Sequence, residues 1–202
     1  MKIPTESYLV QKQRWPQNGR HILAHFDADT IVVYQAYRPA IGLYAARHGH
    51  FGGEFSLDRM SWIKPNFLWM MYRSGWGTKE GQEITLAVHL QRRAFDEILA
   101  AAVPSSFDPE RYPDRNAWSQ AVSASHVRLQ WDPDHDPFGV PQQRRALQLG
   151  LRGETLRRYA REWIVEIEDL SDFVARQAAI LKSNPARLET PQEEVYPPNH
   201  MN

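Results

Sequence analysis

The spacing of apolar residues changes several times along the 202-residue chain, and each change predicts an element. Ile31-Val32-Val33-Tyr34-Gln35-Ala36-Tyr37 is a β-branched and aromatic run that predicts a central strand. Pro39 closes it and suits the first turn of a helix over 40–47, which Gly49 ends. Pro65 opens a second helix to about Arg73. Phe67, Trp69, Met70 and Met71 make that helix apolar on most sides, so it is expected to be buried, and Gly75 and Gly77 terminate it. A strand is expected over 83–90. A helix over 91–103 follows, with Phe95, Ile98, Leu99 and Ala102 on one stripe, and Pro104 stops it.

Farther on, a short helix is expected over 116–122. His126 to Trp131 alternates with period two, as a half-buried strand does. Asp132 to Pro137 reads as a loop, 145–151 as a strand, 154–161 as a helix and 163–168 as a last strand. Ser171 can cap a final helix that ends before Asn184-Pro185. Strands and helices mix here without the regular βαβ alternation or the glycine fingerprint of a dinucleotide-binding parallel sheet. The prediction is an α+β fold: one domain with a twisted, mainly antiparallel sheet flanked by helices. Residues 1–19 are expected to form an extended arm, 20–184 the domain, and the proline-rich 185–202 an extended or disordered tail.

Composition narrows the function classes. Twenty-four basic side chains balance 24 acidic ones, so a nucleic acid could be held only by a local patch, since duplex-coating proteins carry a basic excess. With no cysteine, thiol catalysis, disulfides and cysteine-ligated zinc are excluded. No apolar leader or membrane-length run occurs, which predicts a cytoplasmic protein with no membrane contact. The sequence leaves oligomeric state open.

Candidate chemistry concentrates in Asp58 to Lys79, which holds three of the seven tryptophans and the cations Arg59, Lys64, Arg73 and Lys79. Large π surfaces beside fixed positive charge suit a base, a nucleotide or a phosphate. Trp62, Phe67, Trp69 and Tyr72 read first as core, because aromatic rings dominate cores. Lys64 and Arg73 are different: a charge in so apolar a setting is costly unless it is paired or holds an anion. Tyr34, Gln35, Tyr37 and Arg38 end a strand where a helix begins, a frequent place for ligand groups on a rigid frame. Glu166 and Glu168 read first as the solvent face of an edge strand, with an active-site carboxylate as the alternative. The acidic loop at 132–137 has carboxylates and a histidine at alternate positions but lacks the glycine and terminal glutamate of a calcium loop, so no metal is expected. The scattered histidines form no metal motif, and neither a nucleophile elbow nor a P-loop is present.

Val33 to Tyr37, Asp58 to Gly77, Val127 to Pro133 and Glu162-Trp163-Ile164 resemble domain-of-unknown-function family 4291, and the resemblance spans about Arg20 to the proline-rich tail. It implies no activity. A weaker likeness is to ADP-ribosyltransferases, whose first strand carries a Tyr-Arg or Tyr-His step before a helix ending in glycine and an apolar residue. Here Tyr34 to Tyr37, the helix from Pro39, and Gly49-His50-Phe51 are similar in layout. By that analogy Gln35 stands where a cation would contact NAD, Tyr72 or Trp69 stacks on nicotinamide, and Gln148 stands where a catalytic glutamate belongs. The departures are Gln35 for the cation, Gln148 for the glutamate, and no Ser-Thr-Ser step.

Three readings follow. In the first, NAD binds through Gln35, Tyr37, Lys64 and Arg73, and Glu166 stabilises a cationic transition state in transfer to a nucleic acid. In the second, the same cleft stacks nucleotides or single-stranded nucleic acid without turnover. In the third, the tryptophan-rich stretch is core alone.

Overall fold

The computed structural model describes residues 2–197. The chain runs β1 (Thr5–Ser7), α1 (Tyr8–Arg14), β2 (Gly19–Arg20), β3 (Leu23–Ala24), β4 (Thr30–Tyr37) and α2 (Pro39–His48). β5 (Ser61–Ile63), α3 (Phe67–Ser74), β6 (Ile84–Gln91), α4 (Arg92–Ala100), β7 (Val103–Pro104) and α5 (Arg115–Ala124) come next. The last part holds β8 (Val127–His135), β9 (Pro141–Leu151), α6 (Gly153–Arg158) continued by a π-helical turn at Tyr159–Trp163, β10 (Ile164–Asp169), α7 (Ser171–Ser183), β11 (Glu189–Pro191) and β12 (Glu194–Val195).

The protein is α+β. One antiparallel sheet has the order β10-β6-β4. The other has the order β2-β9-β8-β7, with β5 on the free edge of β9 beyond β2; only the short β2 and β7 pairings in it are parallel. The two sheets meet at a single backbone bridge. Tyr34 N–H donates to the Lys64 carbonyl at 2.6 Å, and Lys64 N–H donates back to the Tyr34 carbonyl at 3.3 Å.

Strand β4 is buried on both faces, which is why its sequence is continuously apolar instead of alternating. Ile31 and Val33 face the larger core with Leu86, Val88, Leu149 and Tyr159. Val32 and Tyr34 face a second cluster with Phe67, Met71 and Phe173, beneath α3 and α7. Helix α2 begins at Pro39 as expected, and Gly49 ends it in the left-handed conformation at φ 69°. A Cβ on Gly42 would lie 2.5 Å from Ile84 Cβ, so only glycine lets α2 lie this close to β6.

Several expectations need correction. The arm is not extended through its length: residues 8–14 are helical and bury Tyr8 and Gln11, and Trp15 just beyond is buried too. The stripe at 8, 11 and 15 had helical spacing, but a polar residue at its centre concealed it. Gln11 is buried because every part of its amide is bonded: Nε2 donates to Thr190 Oγ1 at 2.9 Å and the Pro191 carbonyl at 3.1 Å, while Oε1 accepts from Glu193 N–H at 2.8 Å. The tail opens on a 3-10 turn at Pro185–Arg187 and then runs extended through residue 196, but it is bound, with β11 on β1, β12 on β3, and Leu188, Glu193 and Tyr196 buried. Pro198 and His200 lie outside the described residues. The presumed loop at 132–135 continues β8, because Asp134 turns into the protein to pair with Arg144 at 2.5 Å. Helix α3 starts two residues after Pro65, where Asn66 caps it by accepting from Trp69 N–H at 2.7 Å. No helix among the described residues is long and apolar enough to cross a membrane.

Glu193 fastens the tail to α3. Its carboxyl accepts from Phe67 N–H at 2.7 Å and from Asn66 Nδ2 at 3.3 Å, in full burial. Burial holds its pKa well above the ordinary carboxyl value, against the opposing hydrogen bond from Phe67. A raised carboxyl pKa contributes stability that is complete below the unfolded pKa and is lost as pH rises toward the folded one. Glu193→Gln is therefore expected to match the parent near about pH 4 and to exceed it in denaturant midpoint as pH rises to about 8. Parallel pH profiles for the two proteins would rule out a neutral Glu193.

Candidate functional site

The bridge at Tyr34 and Lys64 leaves β4 and β5 to diverge beyond it, and side chains span the gap. Gln35 Nε2 donates to Tyr37 Oη (2.8 Å), Ser61 Oγ (2.9 Å) and the Trp62 carbonyl (3.2 Å). Its Oε1 accepts from Tyr159 Oη at 2.7 Å, and Tyr37 Oη and Ser61 Oγ share a further bond at 2.7 Å. Buried amides and hydroxyls need such partners, and here they lock the two sheets together at fixed separation.

A cavity of about 610 Å³ opens over this seam. Gln35, Tyr37, Arg38, Lys64 and Arg73, drawn from β4, the start of α2, the residue after β5 and the end of α3, all line it. Arg59, Trp62, Met60 and Met70 also line it, as does Glu54. Arg38 pairs with Glu54 at 2.5 Å. Among the described residues, the side chains of Arg59, Lys64 and Arg73 have no hydrogen bond or ion pair. Arg38, Arg59 and Arg73 are exposed at the mouth, whereas Lys64 is only 6% exposed and lies at the floor.

The floor lysine is electrostatically uncomfortable. Burial lowers its pKa from 10.5 to about 8; Arg73 pushes the same way, and Asp132 opposes both. Asp132 is itself held by two amides, Gln130 Nε2 on Oδ1 at 2.8 Å and Gln148 Nε2 on Oδ2 at 2.6 Å. Gln148 thus touches the site's electrostatics through Asp132 and is not among the residues lining the cavity.

Other expected site residues lie elsewhere. Tyr34 alternates away from Gln35, into the second core, with its ring 5.4 Å from Phe67 and its hydroxyl buried without a partner. Trp69 and Tyr72 do not line the cavity, although both are on α3 and Trp69 is one helical turn from Arg73. They stack with His135, the Tyr72 and His135 rings being 3.6 Å apart and the Trp69 and His135 rings 5.1 Å apart. Glu166 is on β10, at the edge of the three-stranded sheet opposite β4, where it pairs with Lys2. Glu168, two residues farther along β10, accepts from His89 Nε2 of β6 at 2.8 Å. Neither glutamate lines the cavity.

Glu54 was not legible from its neighbourhood in the chain. Its position depends on Gly52 and Gly53 lying flat on the Tyr44 ring, where a Cβ on Gly52 would come within 2.8 Å. That double glycine was the available signal. Among the described residues no group of three or more His, Cys, Asp or Glu is placed to hold a metal ion.

The sequence pattern of the family described as "Domain of unknown function (DUF4291)" matches residues 21–196, most of the chain, and the chain belongs to that family. None of the curated proteins matches it.

Keeping Lys64 charged in this setting costs on the order of 3 kcal/mol at neutral pH. With its pKa lowered on folding, the unfolded chain binds the extra proton between about pH 8 and 10.5, and the penalty disappears across that window. Lys64→Met is expected to be more stable than the parent by a few kcal/mol at about pH 7, with the gap closing by about pH 10.5. Denaturant titrations of both proteins across this range check it; a variant less stable at neutral pH would contradict the burial penalty.

Proposed function

We propose that this member of the DUF4291 family binds a phosphate-bearing nucleotide in the cavity over the sheet seam, and that NAD is the nucleotide. The observation that carries the reading is the set of three cations, Lys64 below and Arg59 and Arg73 above, that face one cavity without ion pairs. Lys64, held out of water without a partner, is costly when charged, and an anionic ligand supplies the partner; the exposed Arg59 and Arg73 add fixed positive charge beside it. Arginine forks suit phosphate oxygens, and Trp62 and Tyr37 in the same lining offer flat surfaces for a base. NAD enters through the sequence order of Tyr34 to Tyr37, the helix from Pro39, and Gly49-His50-Phe51, which resembles that of ADP-ribosyltransferases.

Transfer of ADP-ribose requires a carboxylate near the positive charge that develops on the ribose. Glu54 is the carboxylate that lines the cavity, and it takes that place in the proposal instead of Glu166. A ligand phosphate competing for Arg38 would free it.

Thermal unfolding with and without NAD tests the reading. At about a hundredfold excess over the dissociation constant the midpoint is expected to rise by about 5–10 °C. The rise should shrink in Arg73→Ala and Arg59→Ala, whose exposed positions leave the fold unchanged. No rise with NAD, ADP or ADP-ribose at millimolar concentration would sink the nucleotide reading. A rise with single-stranded oligonucleotides alone would transfer the site to nucleic acid.

A further inference from the structure

The chain has nineteen arginines and five lysines. Lys2, Lys12, Lys79 and Lys182 are exposed, and Lys64 is the one that is buried. Where this protein buries a cation for structure alone it uses Arg144, clamped to Asp134 at 2.5 Å and to the Pro16 carbonyl at 2.6 Å. Lys64 has no such clamp. Its backbone is fixed on one side by the paired bonds to Tyr34 and on the other by Pro65 and the Asn66 cap, while its side chain lines the cavity with no hydrogen bond or ion pair among the described residues. An arginine there would supply more hydrogen bonds to a phosphate, but a guanidinium does not give up its proton. What lysine offers in its place is an amine that can lose its proton and attack.

We propose that Lys64 is a nucleophile that captures small anionic aldehydes or ketones as an imine, with the arginines at the mouth holding the ligand's phosphate or carboxylate. The unprotonated Nζ adds to the carbonyl carbon, forming a C–N bond while the C=O π electrons move to oxygen. Proton transfer from nitrogen to that oxygen and loss of water then give the C=N bond, with no oxidant or reductant required. Desolvation and adjacent cations are the two devices that activate an amine for this chemistry, and both act on Lys64, through its burial and through Arg73. The arginine rim fixes the class of ligand: an uncharged carbonyl compound gains nothing from it, while an anionic one is concentrated beside the amine. This inference concerns the same cavity as the nucleotide reading but does not require that a nucleotide bind there.

The test is reductive trapping on the full chain. Pyridoxal 5′-phosphate is added at equimolar concentration at about pH 7.5, borohydride is added at intervals, and adducts are located by peptide mass mapping. Lys64 is expected to be labelled about tenfold or more faster than any of the four exposed lysines. Pyridoxal, which lacks the phosphate, should label it more slowly, and so should pyridoxal 5′-phosphate with Arg73→Ala. Lys64→Met should lose the fast adduct, and because the parent's own labelling pattern carries the comparison, a misfolded variant does not obscure the result. Uniform labelling of the five lysines, or an unlabelled Lys64, would overturn the proposal even if NAD raised the unfolding midpoint. Selective labelling of Lys64 in a protein that no nucleotide stabilises would uphold it and remove the nucleotide reading alone.

Discussion

The backbone bridge between Tyr34 and Lys64 is the constraint on which the rest of this structure depends. It is the one place where β4, from the three-stranded sheet, is hydrogen-bonded to the segment that leaves β5 in the other. A pair of hydrogen bonds contributes little net free energy by itself. Its importance lies in what it positions: beyond the bridge the strands separate, and the gap must be spanned by polar side chains or left with unsatisfied backbone. Gln35 spans it with both ends of its amide, assisted by Tyr37, Ser61 and Tyr159. A cavity at the seam of two sheets is then a geometric result of pairing that stops partway, and its floor residue is the one whose backbone makes the bridge.

That origin explains the rigidity of the floor and the mobility available at the rim. Lys64 cannot withdraw, because its own N–H and carbonyl are committed to Tyr34 and α3 begins three residues later. Helix α3 is fixed in turn by a segment distant in sequence, since the carboxyl of Glu193 occupies its first free N–H and Trp15 Nε1 donates to the Glu193 carbonyl at 2.9 Å. Both chain ends therefore bear on the helix that delivers Arg73. The arginines at the mouth, by contrast, are exposed, and Arg38 is held only by a surface ion pair of the kind worth at most about 1 kcal/mol. A fixed amine below and adjustable guanidinium groups above suit ligands that share a reacting group and differ in the spacing of their charges.

Much of the frame could be read from the sequence, because β4, α2, α3 and β6 each show their own periodicity or their own stops. The same holds for the cations of the site: Arg59, Lys64 and Arg73 stood out as charges in apolar company, and the fold brings all three to one cavity with Arg38. What could not be read was direction and distance. Tyr34 and Gln35 are neighbours in one strand, yet alternation sends one into a core and the other to the seam. Trp69 and Tyr72 share a helix with Arg73 but stack on His135, a contact that exists because β8 runs on past Pro133. The tail's burial was hidden by its prolines, which interrupt helix but are compatible with short edge strands and extended chain.

The site's two candidate carboxylates show why residue type alone does not assign a role. Glu166 has the right chemistry on a late strand, but its strand is the edge of the three-stranded sheet away from β4, and its charge is already balanced by Lys2. Asp132 came from a segment that looked like a solvated turn, yet two glutamines orient it and its field reaches Lys64. The amide at Gln148 is what makes this possible. A glutamate at that position would set a second carboxylate at hydrogen-bond distance from Asp132, where like charges oppose each other's ionisation. A neutral amide instead leaves a single carboxylate, whose charge opposes the burial and the repulsion from Arg73 that lower the Lys64 pKa. Gln148 and Lys64 are thus linked through Asp132, the one by a hydrogen bond and the other through the carboxylate's field.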